Sequence, residues 1–285
     1  MKTYALLGKN IGYSSSPFMH NAAFSALKMD AEYKIFDIPE RDLKGFLCDL
    51  RSGKIEGCNV TIPYKEKALE FVDEKNDTVE AIGALNTIAR KKEKLVADNT
   101  DFLGFMKALR GEGEGDLNFD PKGKNIFLFG AGGAAKAIVY VLLTLKAKRI
   151  ILTDIDKAKA EALAGSFFKK RKGDVSITVS ADEEQYEEFI SRSNLLINAT
   201  PCGMKEKDGA LFDYRYIEEK HYIFDLIYAR KTPLVKDAQK SGARAVDGLN
   251  MLLYQAAASF SVWTGREAPL PVMRKALLEH VGRPS

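Results

Sequence analysis

Residues 126–135 read Ile-Phe-Leu-Phe-Gly-Ala-Gly-Gly-Ala-Ala, and they indicate the fold class more clearly than any other segment. The four apolar residues at its start are typical of a parallel strand that is covered on both faces. The next six residues match the pattern G-x-G-x-x-G/A, with alanine in the third position, and they open an apolar helix that extends to Leu145. A strand, a glycine turn and a helix in this order predict a site for the pyrophosphate of a dinucleotide.

The residues of the glycine loop suit this task for physical reasons. The first glycine permits the tight turn, the second lets the backbone approach the pyrophosphate, and the helix N-terminus supplies free N–H groups with partial positive charge. The alternative is an ordinary strand–helix turn that binds nothing. We expect the loop residues to contact the dinucleotide: Gly130, Ala131, Gly132, Gly133 and Ala134.

The end of the following strand predicts which dinucleotide is used. It reads Leu-Thr-Asp-Ile-Asp over residues 152–156, and Asp154 lies 24 positions after Gly130. This spacing suits an acid that bonds the ribose 2′-hydroxyl and repels a 2′-phosphate. The nearest basic side chain is Lys157, and no arginine is present to hold a phosphate. The residues favour NAD over NADP, and the alternative is that Asp154 or Asp156 only caps the next helix.

Strand and helix patterns alternate along the whole chain, which predicts an α/β protein with a doubly wound sheet. A charged turn between residues 86–90 and 95–98 indicates a hairpin. The other predicted strands are 2–8, 32–38, 55–62, 126–129, 149–153, 175–179, 195–198, 222–226 and 244–246. The predicted helices are 16–29, 41–50, 64–72, 100–110, 135–145, 249–263 and 272–280.

Composition excludes several classes of function. The 285 residues include 43 basic and 39 acidic side chains, and the densest basic runs, 91–94 and 169–172, lack the interleaved aromatics of a nucleic-acid surface. The longest apolar run, 137–145, is far shorter than the ~20 residues of a membrane helix, and no signal peptide is evident. The three cysteines and three histidines have no metal-ligand spacing. We expect a cytoplasmic protein without a metal, membrane or nucleic-acid partner.

Polar side chains surround a predicted strand end in residues 57–66, which read Gly-Cys-Asn-Val-Thr-Ile-Pro-Tyr-Lys-Glu. Pro63 ends the strand, so Lys65 is predicted to lie in the first turn of the next helix, where the helix dipole disfavours its charge. A second polar cluster that contains Asp101 ends another strand about 35 residues later. We expect Lys65 and Asp101 to pair across adjacent strand ends, either as a surface salt bridge or as a catalytic pair.

A lysine–carboxylate pair beside a carbonyl carbon suits hydride chemistry. The lysine donates a proton to the developing alkoxide, and its charge stabilises that oxygen. In the reverse direction the amine of Lys65 must be neutral, which burial assists and Asp101 opposes. The two groups would therefore titrate as a unit.

Seven motifs in this order resemble those of shikimate dehydrogenases, and the resemblance covers essentially the whole chain. They are residues 13–21, 59–65, 83–87, 99–101, 130–135, 198–204 and 247–255. The resemblance implies reversible reduction of 3-dehydroshikimate to shikimate with a nicotinamide cofactor, a step toward chorismate and the aromatic amino acids. It also implies a monomer or a homodimer with a small-molecule substrate.

The resemblance also implies roles for individual residues. Lys65 and Asp101 match the catalytic pair. The positions implied for the substrate are Ser14 and Ser16 at its carboxylate, assisted by Tyr228, and Thr61, Asn86 and Gln255 at its ring hydroxyls, with Asn59 in the same motif. The positions implied for the cofactor, beyond the glycine loop and Asp154, are Thr200, Gly248 and Met251. As alternatives, Ser16 caps a helix and Tyr228 and Met251 are core residues.

Two domains follow from the same resemblance. Residues 1–104 with 249–285 would form a substrate-binding catalytic domain with a mixed sheet, and residues 105–248 a Rossmann domain for NAD or NADP. NADP is the commoner cofactor of the family, but Ile155 replaces an arginine that would hold its 2′-phosphate.

Other departures concern the substrate. Tyr13, Ala97 and Phe102 replace usual residues, and Ala229-Arg230 replaces an Asn-Pro pair after Tyr228. These changes leave open a dehydrogenase that also accepts quinate. The alternatives from other classes are a non-catalytic dinucleotide-sensing module and a folate-type dehydrogenase. Both Lys65 and Asp101 are present, which argues against the sensing module, and the pair Ser14 and Ser16 favours a small hydroxy acid over a folate.

Overall fold

A computed structural model describes residues 1–168, 175–180 and 182–283. The chain forms two compact units, residues 1–104 together with the chain from 253 onward, and residues 105–252. The second crossing between the units lies between Leu252 and Leu253, four residues after the expected boundary at 249. The basic run 169–172 lies outside the described residues.

The described part of the chain contains alternating strands and helices. The strands are β1 (Lys2–Gly8), β2 (Ala31–Asp37), β3 (Gly57–Val60), β4 (Glu74–Lys75), β5 (Thr87–Lys91), β6 (Lys94–Asp98), β7 (Asn125–Phe129), β8 (Arg149–Thr153), β9 (Ser176–Val179), β10 (Leu195–Asn198), β11 (Tyr222–Asp225) and β12 (Arg244–Val246). The helices are α1 (Ser16–Ala26), α2 (Leu43–Ser52), α3 (Asp77–Ile82), α4 (Asp101–Arg110), α5 (Gly133–Thr144), α6 (Lys157–Phe168), α7 (Tyr186–Ser191), α8 (Pro233–Lys240), α9 (Leu249–Thr264) and α10 (Leu270–His280). Among these described helices, none combines the length and the apolar character that crossing a membrane requires.

The first unit is built on a mixed six-stranded sheet with the order β2-β1-β3-β5-β6-β4. Strands β1, β2 and β3 are parallel, whereas β5 runs antiparallel to both β3 and β6. In this register Asn59 lies opposite Thr87, and Thr87 lies opposite Asp98. The pairing therefore places polar residues of three adjacent strands in one row, close to the segments that carry Lys65 and Asp101.

An apolar core holds this sheet and α2 together. It includes Leu7, Leu50 and Ile88, each with no exposed surface. A fully buried aliphatic side chain contributes roughly 1.5–3 kcal/mol, so this core can stabilise a sheet that also carries a buried polar row.

The second unit contains a six-stranded parallel sheet with the order β12-β11-β10-β7-β8-β9. Strand β7 is central, and the chain continues to β8 on one side and to β10 on the other. Phe129 pairs with Thr153 and with Asn198, so the loops that follow these strands leave the same edge of the sheet. Ligands of doubly wound folds bind at such a switch point, outside the carboxyl ends of the strands. The predicted α/β class with a doubly wound sheet is confirmed.

The helix expected over residues 64–72 is wrong. Lys65 lies in a turn that precedes a short 3₁₀ helix, Lys67–Glu70. The carbonyl oxygen of Lys65 accepts a hydrogen bond from the backbone N–H of Leu85 at 2.9 Å, so it is paired outside any helix. Lys65 is therefore not held against a helix dipole, and its position depends on tertiary contacts.

Candidate active site

The Lys65–Asp101 pair predicted from sequence is present and mostly buried. The Lys65 Nζ lies 2.5 Å from Asp101 Oδ2, and the two side chains are 16% and 8% exposed. Asp101 is the first residue of α4, where the helix dipole favours a negative charge. The burial separates this pair from the exposed lysine–carboxylate pairs of the surface, which contribute little.

Asn86 holds the second oxygen of the Asp101 carboxylate. Its Nδ2 donates to Asp101 Oδ1 at 2.8 Å, and its Oδ1 accepts from the backbone N–H of Thr100 at 2.7 Å. Gln255, from α9, brings its Oε1 to 3.4 Å from the same Nδ2. Three residues predicted from distant motifs, Asn86, Asp101 and Gln255, are therefore in contact, and they are almost fully buried.

Asn59 lies in the same unit but has its amide groups occupied internally. Its Oδ1 accepts from Tyr33 Oη at 2.8 Å, and its Nδ2 donates to Ser259 Oγ at 2.8 Å and to the Asn86 carbonyl oxygen at 3.2 Å. Only 5% of Asn59 is exposed. Ser259 was not among the predicted residues. The one sequence signal for it is its position four residues after Gln255, which places both on the same face of a helix.

The two serines predicted to hold a carboxylate are adjacent at the start of α1. Ser14 Oγ lies 3.2 Å from Ser16 Oγ and accepts from the backbone N–H of Ser16 at 3.3 Å. Ser15 occupies the N-cap position without a side-chain cap bond, so Ser16 is the first helical residue and not the cap. Thr61 follows β3 directly and is half-buried. This arrangement leaves the α1 N-terminus without a side-chain cap beside two hydroxyls.

The glycine loop of the second unit has the geometry that a pyrophosphate needs. Gly130 has φ +100°, and a Cβ there would meet the Ala199 carbonyl oxygen at 2.8 Å. Gly132 is the N-cap of α5 without a side-chain cap bond, and a Cβ there would meet nothing within 4 Å. The open space over Gly132 and the uncapped helix start fit a phosphate group that approaches the backbone.

Asp154 is tied to the glycine loop. Its Oδ2 accepts from the backbone N–H of Ala131 at 2.8 Å, and its Oδ1 accepts from the N–H of Asp156 at 2.9 Å. The second bond supports the turn before α6, as the capping alternative expects, while the first reaches across to the predicted phosphate loop. Ile155, beside it, is fully exposed.

Thr200 is half-buried and bonds to a buried polar pair at the same edge of the parallel sheet. Its hydroxyl donates to Asn198 Oδ1 at 2.7 Å, and Asn198 Nδ2 donates to Asp225 Oδ1 at 3.0 Å. Burial raises the pKa of Asp225 to about 6. Sequence reasoning missed Asp225, although a carboxylate at the end of an apolar strand was a visible signal.

The remaining predicted cofactor residues also lie in the second unit. A Cβ at Gly248 would meet the carbonyl oxygen of Leu226 at 2.1 Å, so a close backbone approach requires this glycine. Met251 is only 7% exposed, and Tyr228 is half-buried. Tyr228 belongs to the second unit, whereas Ser14 and Ser16 belong to the first.

A parallel sheet with a glycine loop, in a chain that also carries a buried lysine–carboxylate pair among amide and hydroxyl groups, is typical of NAD(P)-dependent oxidoreductases. Two family models match the chain, a shikimate dehydrogenase substrate binding domain at residues 6–88 and a shikimate 5′-dehydrogenase C-terminal domain at residues 248–278.

Known proteins resemble the chain over its whole length. A shikimate dehydrogenase (NADP(+)) of Methanopyrus kandleri is 39% identical, covering 97% of this chain and 94% of that one. A crystal structure of shikimate 5-dehydrogenase from Listeria monocytogenes in complex with shikimate and NAD has 30% identity and a TM-score of 0.86, covering 97% and 96% of the two chains. A quinate dehydrogenase from Corynebacterium glutamicum in complex with NAD has 29% identity and a TM-score of 0.87, covering 98% and 99%. The chain belongs to the shikimate dehydrogenase family.

Proposed function

We propose that the protein is a shikimate dehydrogenase, which reversibly reduces 3-dehydroshikimate to shikimate with NAD or NADP in the route to chorismate and the aromatic amino acids. The observation that carries this proposal is the buried contact between Lys65 and Asp101, with Asn86 and Gln255 beside it. Family membership supports the same reaction.

Lys65 supplies the proton in this proposal. When bound, the nicotinamide ring supplies or accepts the hydride at the carbonyl carbon of the substrate. As negative charge develops on the carbonyl oxygen, the Lys65 ammonium stabilises that oxygen and donates a proton to it. Asp101 holds the amine in place through one oxygen, while Asn86 fixes the other oxygen. In the direction of oxidation, neutral Lys65 takes the proton of the substrate hydroxyl.

The substrate would be held by polar groups of the first unit. Ser14 and Ser16 at the start of α1 would bind the carboxylate, because two hydroxyls and an uncapped helix start favour an anion. Thr61, Asn86 and Gln255 would bond the ring hydroxyls, and Tyr228 of the second unit would assist at the carboxylate. We assign Asn59 to the support of these groups, since its amide already has internal partners.

The cofactor would be held by the second unit. The loop from Gly130 to Ala134 would bind the pyrophosphate, and Thr200, Gly248 and Met251 would lie along the rest of the dinucleotide. Asp154 would bond the ribose 2′-hydroxyl of NAD and repel the 2′-phosphate of NADP. Its contact with the Ala131 amide places the carboxylate beside the loop, which supports a preference for NAD.

A second candidate function is a dehydrogenase that uses both shikimate and quinate. The departure at Ala229-Arg230, directly after Tyr228, and the likeness to a quinate dehydrogenase support it. We further propose a cytoplasmic enzyme that acts as a monomer or a homodimer. Three free cysteines in the structure fit a reducing compartment.

The test is an oxidation assay in four combinations, shikimate or quinate with NAD or NADP, which compares kcat/KM. We expect the highest value for shikimate with NAD. Comparable activity on quinate would establish the second candidate, and activity in none of the four would refute a dehydrogenase and favour the sensing module.

Two lysine variants identify the proton donor in the same assay. Lys65→Ala should lower kcat by about 10²–10⁴, the range for the loss of a general acid–base group. Lys67→Ala is the matched control, since it removes an equal charge two positions away, where the side chain makes an exposed ion pair with Glu40. Equal activity of the two variants would remove Lys65 from the proposed chemistry.

A further inference from the structure

Ser259 of α9 is fully buried, and its hydroxyl is surrounded by other polar side chains. Its Oγ lies 2.8 Å from Asn59 Nδ2, 2.8 Å from Thr87 Oγ1 and 2.9 Å from Thr100 Oγ1. These partners come from β3, from β5 and from the segment before α4, and Asn59 is 200 positions away in the chain. The Ser259 hydroxyl therefore has three neighbours in hydrogen-bond range and connects α9 to two strands and to the segment before α4.

The orientation of the two side-chain amides in this cluster follows from backbone groups that can only donate or only accept. The N–H of Thr100 fixes the oxygen of the Asn86 amide, and the Asn86 carbonyl fixes the nitrogen of the Asn59 amide. The Thr87 hydroxyl donates to Asn86 Oδ1 at 2.9 Å. Ser259 Oγ accepts from Asn59 Nδ2, and its neighbours Thr87 and Thr100 both have a hydroxyl within hydrogen-bond range of Asn86 Oδ1.

These contacts make one continuous network from Asn59 through Ser259 and the Thr87 and Thr100 hydroxyls to Asn86. The network ends on Asn86 Oδ1, where it adds to the bond from the Thr100 N–H and helps to hold the amide nitrogen toward Asp101 Oδ1. Fully satisfied buried networks hold side chains in one geometry, and a missing member leaves the others without partners. The contact that orients the Asp101 carboxylate therefore depends on a hydroxyl that does not touch it.

We propose that Ser259, with Asn59 and Thr87, is a positioning residue for the Lys65–Asp101 pair, acting through the side-chain amide of Asn86. The effect on the Lys65–Asp101 pair rests on the proposed function, whereas the restraint on the Asn86 amide does not. Because Ser259 acts through Asn86, its removal should disturb the amide first and the chemistry only through that amide.

The first experiment observes the amide directly in protein labelled with ¹⁵N-asparagine, without substrate or cofactor. We expect slow hydrogen exchange of the Asn86 side-chain amide in the wild type and a clear acceleration in Ser259→Ala. Ser261→Ala is the matched control, because its hydroxyl donates to the Ala257 carbonyl of the same helix at 3.2 Å and, among the described residues, to no member of this cluster. Unchanged exchange in Ser259→Ala would overturn the proposal, whatever the activity of the enzyme.

The second experiment measures kcat with saturating shikimate and cofactor for the same variants. Ser259→Ala should lower kcat by about fivefold, the loss of one ordinary hydrogen bond, with the KM for the dinucleotide unchanged. In a Lys65→Ala background the same substitution should have no further effect, because the pair it positions is gone. A fivefold loss that persists in that background would overturn the positioning role. A wild type inactive on shikimate and quinate would refute the proposed function, while amide exchange would still decide the restraint on Asn86.

Discussion

His20 predicts how the stability of the first unit depends on pH. The side chain lies on α1 with no exposed surface, stacked on Tyr33 with ring centroids 4.4 Å apart and 5.2 Å from the ring of Trp263. Neither ring nitrogen has a hydrogen-bond partner within the described part of the chain. Burial lowers the pKa of His20 to about 3, and the Asn59 side chain acts in the opposite direction. The folded protein therefore holds this imidazole neutral.

The size of the effect follows from the two pKa values. His20 titrates near 6.5 in the unfolded chain and near 3 in the folded protein, so only the unfolded chain gains a proton between these values. The contribution of neutral His20 to the free energy of unfolding is present above pH 6.5 and is lost as the pH falls toward 3. At pH 5 the loss is about 2 kcal/mol, since the unfolded chain is then about 1.5 pH units below its pKa.

The perturbation is His20→Phe, which keeps a planar ring of similar size and removes both nitrogens. We compare the free energy of unfolding of the variant with that of the wild type at each pH. The difference in favour of the variant should be about 2 kcal/mol larger at pH 5 than at pH 7. Urea unfolding at pH 7, 6 and 5 measures this difference. The fluorescence of the single tryptophan, Trp263, reports on the unit that contains His20. A difference between the proteins that stays constant from pH 7 to pH 5 would show that His20 is not held neutral in the folded protein.

Local sequence patterns predicted most elements of the parallel sheet. Strands such as Arg149–Thr153 and Leu195–Asn198 were predicted to the residue, because short apolar runs between turn signals determine them locally. The glycine loop was predicted for the same reason, since strand, turn and helix are adjacent in the chain. The Lys65–Asp101 contact also followed, because both residues come after strands that end at the same place.

Tertiary contacts explain what sequence patterns could not predict. Residues 64–72 have a helical pattern, but the Lys65 carbonyl pairs with Leu85 and the helix does not form. Ser259 lies in an apolar helix, and its role depends on partners up to 200 positions away. The bond from the Ala131 N–H to Asp154 joins two loops that become neighbours only when β7 and β8 pair. Local periodicity contains no signal for such long-range pairs.

Two aspartates of the second unit give the remaining predictions. Asp154→Asn keeps an oxygen for the Ala131 amide but removes the charge, so kcat/KM with NADP relative to NAD should rise about tenfold or more; an unchanged ratio would contradict a selecting role. Asp225 is fully buried and accepts from the Thr232 hydroxyl at 2.6 Å, yet burial raises its pKa to about 6. Because the folded pKa is raised, its contribution is greatest below pH 4 and is lost as the pH rises through 6. Asp225→Asn, which still accepts from Asn198, removes this loss. Its free energy of unfolding should therefore rise by about 2 kcal/mol relative to the wild type between pH 4 and pH 7, measured by urea unfolding followed by circular dichroism. Parallel curves for the two proteins would show that Asp225 does not ionise at a raised pKa, since every other group titrates equally in both.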